Sequence, residues 1–185
     1  MTVKPISLVL ALSLGVSAAF AVGKTEGTKA FTDGKCTMCH TANVAGLTKE
    51  NPPKGGDLPT SLAGKSLDFV KNVTLKKQDV NGKPHPVAYA GADLETLAAW
   101  LVQITGENLL TKNKCTMCHS VNAIGLTKDK AMGGDLSKVG ASQKADWIEG
   151  FVAKKINKGD KAHKGNYSGT PEELKALAAY LATLK

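Results

Sequence analysis

The feature that most constrains this chain is that it repeats itself. Cys36-Thr37-Met38-Cys39-His40 recurs letter for letter as Cys115-Thr116-Met117-Cys118-His119, 79 residues further on. Gly46-Leu47-Thr48-Lys49 returns as Gly125-Leu126-Thr127-Lys128 at the same offset, and Gly55-Gly56-Asp57-Leu58 returns as Gly133-Gly134-Asp135-Leu136 at 78. His85 matches His163, and Leu97-Ala98-Ala99-Trp100-Leu101 matches Leu177-Ala178-Ala179-Tyr180-Leu181 at 80. So small a drift in offset means short insertions in loops. The period therefore decides the architecture, two homologous domains at 22–105 and 106–185. The join, Gln103-Ile104-Thr105-Gly106, is too short for a free linker, so the domains should be packed neighbours.

Each half is small. A domain of about 80 residues buries a thin core and usually needs a staple, and only 5% of this chain is aromatic. The apolar spacing in each half predicts three helical segments separated by Gly/Pro-rich loops. The first covers about 24–36, with a partner at about 107–115, and the middle one covers about 67–75, with a partner at about 143–156. In that partner Trp147, Ile148 and Phe151 share a face, read as ordinary core. The last segment is the clearest. Leu94, Leu97, Leu101 and Ile104 fall at helical steps, and Leu174, Leu177, Leu181 and Leu184 repeat them. Thr170-Pro171-Glu172-Glu173 opens that second copy with an N-cap, a proline at N1 and a glutamate at N3. No stretch alternates with period two, so the expected fold class is all-α, two tandem small domains of about three to four helices each.

Charge excludes one class of partner. All 24 basic residues are lysine, and the formal net charge is +8. Without arginine the chain lacks the bidentate donor favoured for phosphate and base edges, and the lysines are spread out, so nucleic-acid binding is not expected. The N-terminus reads as an address. Lys4 precedes an apolar run over 6–19, and Ala19-Phe20-Ala21 is an A-x-A cleavage site, so 1–21 is expected to be a secretory signal peptide. An uncleaved anchor is the competing reading, because the stretch from Ile6 to Val22 is 17 residues long, at the lower limit for a span. No later stretch reaches membrane length. The mature protein is thus expected in the periplasm, with no stable membrane insertion after cleavage.

The two boxes carry the chemistry. Two thiols three residues apart on an incipient helix can each add across one vinyl group of a haem, and the adjacent histidine then lies under the iron. A disulfide or thioredoxin-like pair would explain the thiols but not the histidine that follows, nor the missing βαβ pattern. A structural zinc site would want its second pair 15–20 residues on, whereas these lie 79 apart. The expected cofactors are two covalently attached c-type haems, bound through Cys36, Cys39, Cys115 and Cys118, with His40 and His119 as proximal iron ligands.

With these boxes, the chain resembles the bacterial class I c-type cytochromes, as a tandem dihaem member, over nearly the whole mature sequence. Gly27-x-x-x-Phe31 looks like the family's Gly/aromatic pair on the N-terminal helix, and Leu97/Trp100 and Leu177/Tyr180 look like the motif on the C-terminal helix that it crosses. The second domain has Gly106 but Leu110 in place of the aromatic. Gly-Gly-Asp-Leu resembles the proximal-side loop, one of whose carbonyls, the resemblance implies, holds the Nδ1 proton of the proximal histidine.

One departure is informative. The family usually supplies a methionine as sixth ligand, ahead of the C-terminal helix. Here Met1 is in the signal segment and Met38 and Met117 are inside the boxes, which leaves only Met132. Histidine has the opposite bookkeeping. Beyond the boxes stand only His85 and His163, 45 and 44 residues after the box histidines, and His85-Pro86 resembles the usual Met-Pro loop. His85 and His163 are therefore expected as distal iron ligands. The competing readings are two five-coordinate irons, or Met132 on the second.

An electron carrier between redox partners, at lower potential than methionine-ligated relatives, is the expected function, and an enzyme is not. The alternatives are a haem-bearing subunit of a larger respiratory complex and, further off, a small peroxidase or nitrogen-oxide reductase. Residues 22–105 carry 10 lysines against 8 acids, and 106–185 carry 13 against 8. The more basic second domain, where Lys112, Lys114, Lys128 and Lys130 flank the box, is expected to meet acidic redox proteins.

Overall fold

The computed structural model describes residues 24–49, 54–80, 82–86, 89 and 93–185. The expected signal peptide lies outside the described residues. Among the described residues six α-helices make the frame, with isolated bridges but no strand. The bridges come in matched sets, Thr41 to Asp57 with Ser120 to Asp135, and Ala42 to Leu47 with Val121 to Leu126. Duplication in the sequence is thus duplication in the backbone.

Helix α1 (Lys24–Asp33) buries Gly27, Ala30 and Phe31, one face at steps of three and one. It stops three residues short of the expected end. Lys35 turns left-handed at φ 56, which breaks the ladder and lets the box begin a separate 3-10 turn at Cys36–Met38. Lys114 does the same at φ 56 ahead of Cys115–Met117. Helix α2 (Leu58–Ser61) is a single turn with Pro59 in its first turn. Helix α3 (Leu67–Thr74) opens on Ser66, whose side chain accepts from the Phe69 N–H. Helix α5 (Ala145–Val152) is its counterpart, shorter than the expected 143–156 because Lys154 turns left-handed at φ 59. Helix α6 (Pro171–Leu181) carries the expected capping box, with Thr170 and Glu173 bonding reciprocally.

The largest correction concerns the join. The segments expected to end at 104 and to begin again at 107 are one helix, α4 (Leu94–Lys112), capped at its start by Asp93. Gly106 was the only residue there able to suggest a break. A helical interior tolerates one glycine at about 1 kcal/mol, and tertiary packing requires this one. The same helix closes the first domain and opens the second. Leu97, Ala98, Trp100, Leu101 and Ile104 belong to the first core with Ala30, Phe31 and Val70. Leu109 and Leu110 belong to the second with Val121, Ile148, Leu177, Tyr180 and Leu181.

Two close helix crossings organise these cores. A Cβ at Gly27 would fall 2.0 Å from Trp100 Cγ, and one at Gly106 would fall 2.1 Å from Tyr180 Cγ. Each aromatic side chain therefore lies directly against bare helix backbone. Phe31 meets Trp100 at 5.5 Å, whereas its counterpart Leu110 fills the same place without a ring, fully buried. The domains also touch away from α4. Ala63 packs against the second core, and Gly64 stands against Glu172 at the start of α6.

Candidate metal centres

Each box is wound into the same turn. The amides of Cys39 and His40 donate to Cys36 O at 3.1 and 2.9 Å, and those of Cys118 and His119 donate to Cys115 O at the same distances. Gly55 and Gly133 then tie the facing loop to the box by donating to Cys39 O and Cys118 O, both at 2.7 Å. All four thiols are unbridged. Cys36 and Cys115 are half-buried, and burial pushes both thiols up from their ordinary pKa.

The proximal rings sit directly on that loop. A Cβ at Gly55 would lie 2.4 Å from His40 Cε1, and one at Gly133 would lie 2.3 Å from His119 Cε1, so only glycine fits. Burial holds both imidazoles below their ordinary pKa, the neutral form that offers a lone pair. Nearby backbone carbonyls pull the other way but less strongly. His119 Nδ1 donates to Gly134 O at 3.2 Å, which leaves Nε2 as the lone-pair atom. At the first site His40 Nδ1 is buried and meets no acceptor in bonding geometry, although the Gly55–Gly56 backbone lies beside it.

Sequence-distant histidines complete each centre. His85 stands opposite His40 with ring centroids 6.1 Å apart and planes at 12°. His163 stands opposite His119 at 6.2 Å and 4°. His163 Nδ1 donates to Gly165 O at 3.1 Å, so Nε2 is the lone-pair atom of that ring too. The three described methionines point to solvent. Met38, Met117 and Met132 are 70%, 60% and 85% exposed.

These residues suit a tetrapyrrole better than a bare ion. Among the described residues no group of three or more His, Cys, Asp or Glu side chains gathers around one point. Each centre instead offers two imidazoles with nearly parallel planes and two thiols on the turn that carries one of them. Sequence reasoning missed one participant, Phe151, read there as core. Its ring lies edge-on to His163 at 5.4 Å and 73°. The signal was a mismatch in the repeat, since the corresponding position in α3 is Val73.

Fold and site together define a class, small all-helical domains built around a Cys-x-x-Cys-His turn, here in tandem and sharing a helix. The sequence model of the cytochrome c family matches residues 25–105 and again 103–185, and the chain belongs to that family. Membership implies haem-based electron transfer through covalently held c-type haem, and two matched segments imply two haems. The segments overlap inside α4. No curated protein and no solved structure matches the chain. No described helix is long and apolar enough to cross a membrane.

Proposed function

We propose that this protein is an exported periplasmic electron carrier with two bis-histidine haems, not an enzyme. Cys36 and Cys39 hold the first haem, with His40 proximal and His85 distal. Cys115 and Cys118 hold the second, with His119 and His163. The spacing of the imidazole pairs carries this reading. A metal–imidazole bond of about 2.0 Å plus roughly 1.1 Å from ring nitrogen to ring centre, doubled, requires about 6.2 Å between centroids. The two pairs stand at 6.1 and 6.2 Å.

A haem held at such a pair would supply an iron that gains and loses one electron. The chain's residues do the rest. Burial keeps His40 and His119 neutral. The Gly134 and Gly165 carbonyls hold Nδ1 protons, which aims Nε2 inward and strengthens it as a donor. Two imidazoles favour ferric iron more than a His/Met pair does, so both potentials lie below those of methionine-ligated relatives. Turnover of peroxide or nitrogen oxides requires an open position, which a second histidine opposes.

The partner is an acidic redox protein that meets the second domain. Lys112 is held there by Glu173, while Lys114, Lys128 and Lys130 are exposed, as are Lys154, Lys155, Lys158, Lys161 and Lys164 around the loop of His163. Spectroelectrochemical titration of the haem-loaded protein tests the reading. Both haems should be low-spin when oxidised, with no methionine–iron band. His85→Ala should turn the first high-spin and leave the second unchanged. High-spin iron in the unmodified protein, or an indifferent His85→Ala spectrum, overturns it.

A further inference from the structure

The loop that carries His163 returns to the end of α4. Asn113 caps that helix two residues ahead of Cys115, and its side chain is buried. Its Nδ2 donates to Leu109 O at 3.0 Å, which fixes the amide on its own helix, and to the Tyr167 hydroxyl at 3.4 Å. Ser168 Oγ in turn donates to Asn113 Oδ1 at 3.3 Å. Tyr167 and Ser168 follow His163 by four and five residues. Beside Asn113, Lys112 pairs with Glu173, which closes the capping box with Thr170. The loop backbone also presses on the tyrosine, since a Cβ at Gly169 would stand 2.5 Å from its hydroxyl oxygen. The first repeat places its own tyrosine alike. A Cβ at Gly34, two residues before Cys36, would stand 2.5 Å from Tyr89 Cε2.

Resting on the bis-histidine reading above, we propose that Asn113 is a positioning residue for the second haem: through Tyr167 and Ser168 it clasps the His163 loop to the segment that carries the box, and so sets how readily His163 leaves the iron. His119 and His163 stand 44 residues apart in sequence, and the clasp ties their two segments directly. His163 is bound to its own loop, with Nδ1 donating to Gly165 O and a Cβ at Gly165 only 3.0 Å from its Cε1, so ring and loop move together. Lifting that loop is a local opening, whose cost includes each contact the lifting breaks. Polar atoms left unpaired at the buried Asn113 add to it. Entry of cyanide requires this opening and is a substitution. The imidazole departs with its Nε2 lone pair, cyanide brings its own, and the iron stays ferric.

Cyanide binding to the oxidised, full-length, haem-loaded protein, followed by stopped-flow absorbance, tests this. His163→Ala opens the second haem and so marks which half of the absorbance change belongs to it. That half should speed about 2- to 13-fold in Tyr167→Phe, which keeps the ring and removes the hydroxyl, the factor corresponding to a net hydrogen bond of about 0.5–1.5 kcal/mol. Asn113→Ala, which also releases Ser168, should speed it further, and the other half should keep its rate in both variants. In a His163→Ala background neither change should alter the rate, because no distal imidazole remains to be displaced. An unmoved second-haem rate in both variants, even with a lowered Tm, overturns the proposal. So does equal acceleration of both halves, or acceleration that persists without His163. A high-spin second haem in the unmodified protein, or a His163→Ala spectrum identical to that of the unmodified protein, instead overturns the ligand assignment beneath.

Discussion

Replacing Gly106 by alanine sets two known effects against each other. In an exposed helix interior the change adds about 1 kcal/mol of stability, because alanine loses less backbone entropy than glycine. Inside α4 the new Cβ would stand 2.1 Å from Tyr180 Cγ, 2.4 Å from Cδ1 and 2.7 Å from Cβ. Ordinary contact begins near 3.4 Å, so α4 and α6 must part by more than an ångström or the tyrosine must leave. Neither motion is free. Tyr180 is 3% exposed and its clashing atoms are the stem of the side chain, not a movable tip. Overpacking of this kind costs about 1–3 kcal/mol, and with so rigid a neighbour the upper end applies. The net is a loss of about 2 kcal/mol, or roughly 4–8 °C in Tm for a chain of this length. Gly150→Ala in α5 is the control. Its Cβ would meet only the Ile156 side chain, Cδ1 and Cγ1 both at 3.3 Å, a few tenths of an ångström that this side chain can yield, so helix propensity should win and Tm should hold or rise. Thermal unfolding of the haem-loaded variants, followed by circular dichroism, checks both. In a Tyr180→Ala background the cost of Gly106→Ala should shrink, a coupling readable from the double-mutant cycle. If Gly106→Ala stabilises the protein as Gly150→Ala does, the close crossing of α4 and α6 is wrong.

Intact mass under denaturing conditions should show two haems on the mature chain and one on a Cys115→Ala/Cys118→Ala variant; a chain mass without haem refutes covalent attachment. Burial, then the Glu173 carboxylate, pushes Tyr167 up to about 12. Its folded pKa lies above the ordinary value near 10, so its contribution to stability is complete below pH 10 and is lost as pH rises towards 12. Urea unfolding at pH 9 and 11 should therefore show a smaller alkaline loss in Tyr167→Phe than in the unmodified protein, and equal losses would contradict the assignment. Electron transfer to an acidic redox protein should slow as salt rises, since screening at 0.15 M acts within about 8 Å. Charge reversal at Lys128 and Lys130 should slow it more than reversal at Lys49 and Lys54, and a rate indifferent to both refutes the docking face.

What was legible in advance was what contiguous residues decide. The duplicated boxes, the all-helical class and the capping box at Thr170 each rest on neighbours a few bonds apart, whose spacing translates directly into geometry. Their ends were less legible. Helices α1 and α4 stop just before Lys35 and Lys114, where a left-handed lysine does what glycine more often does, and a lysine gives no warning of it. The chain's histidine bookkeeping singled out His85 and His163, but not their distance from the boxes. A separation of 45 or 44 residues has no length until the core is packed, and only packing brings the ring centroids to 6.1 and 6.2 Å. The fusion across 103–107 belongs to the same class of fact. Locally Gly106 is a weak point in a helix. It becomes one of the helix's two close crossings only because Tyr180, 74 residues later, lies across it. Sequence alone thus determined which residues could bind and how often. Tertiary structure decided which of them face one another, because burial, not order along the chain, sets the distance between groups far apart in sequence.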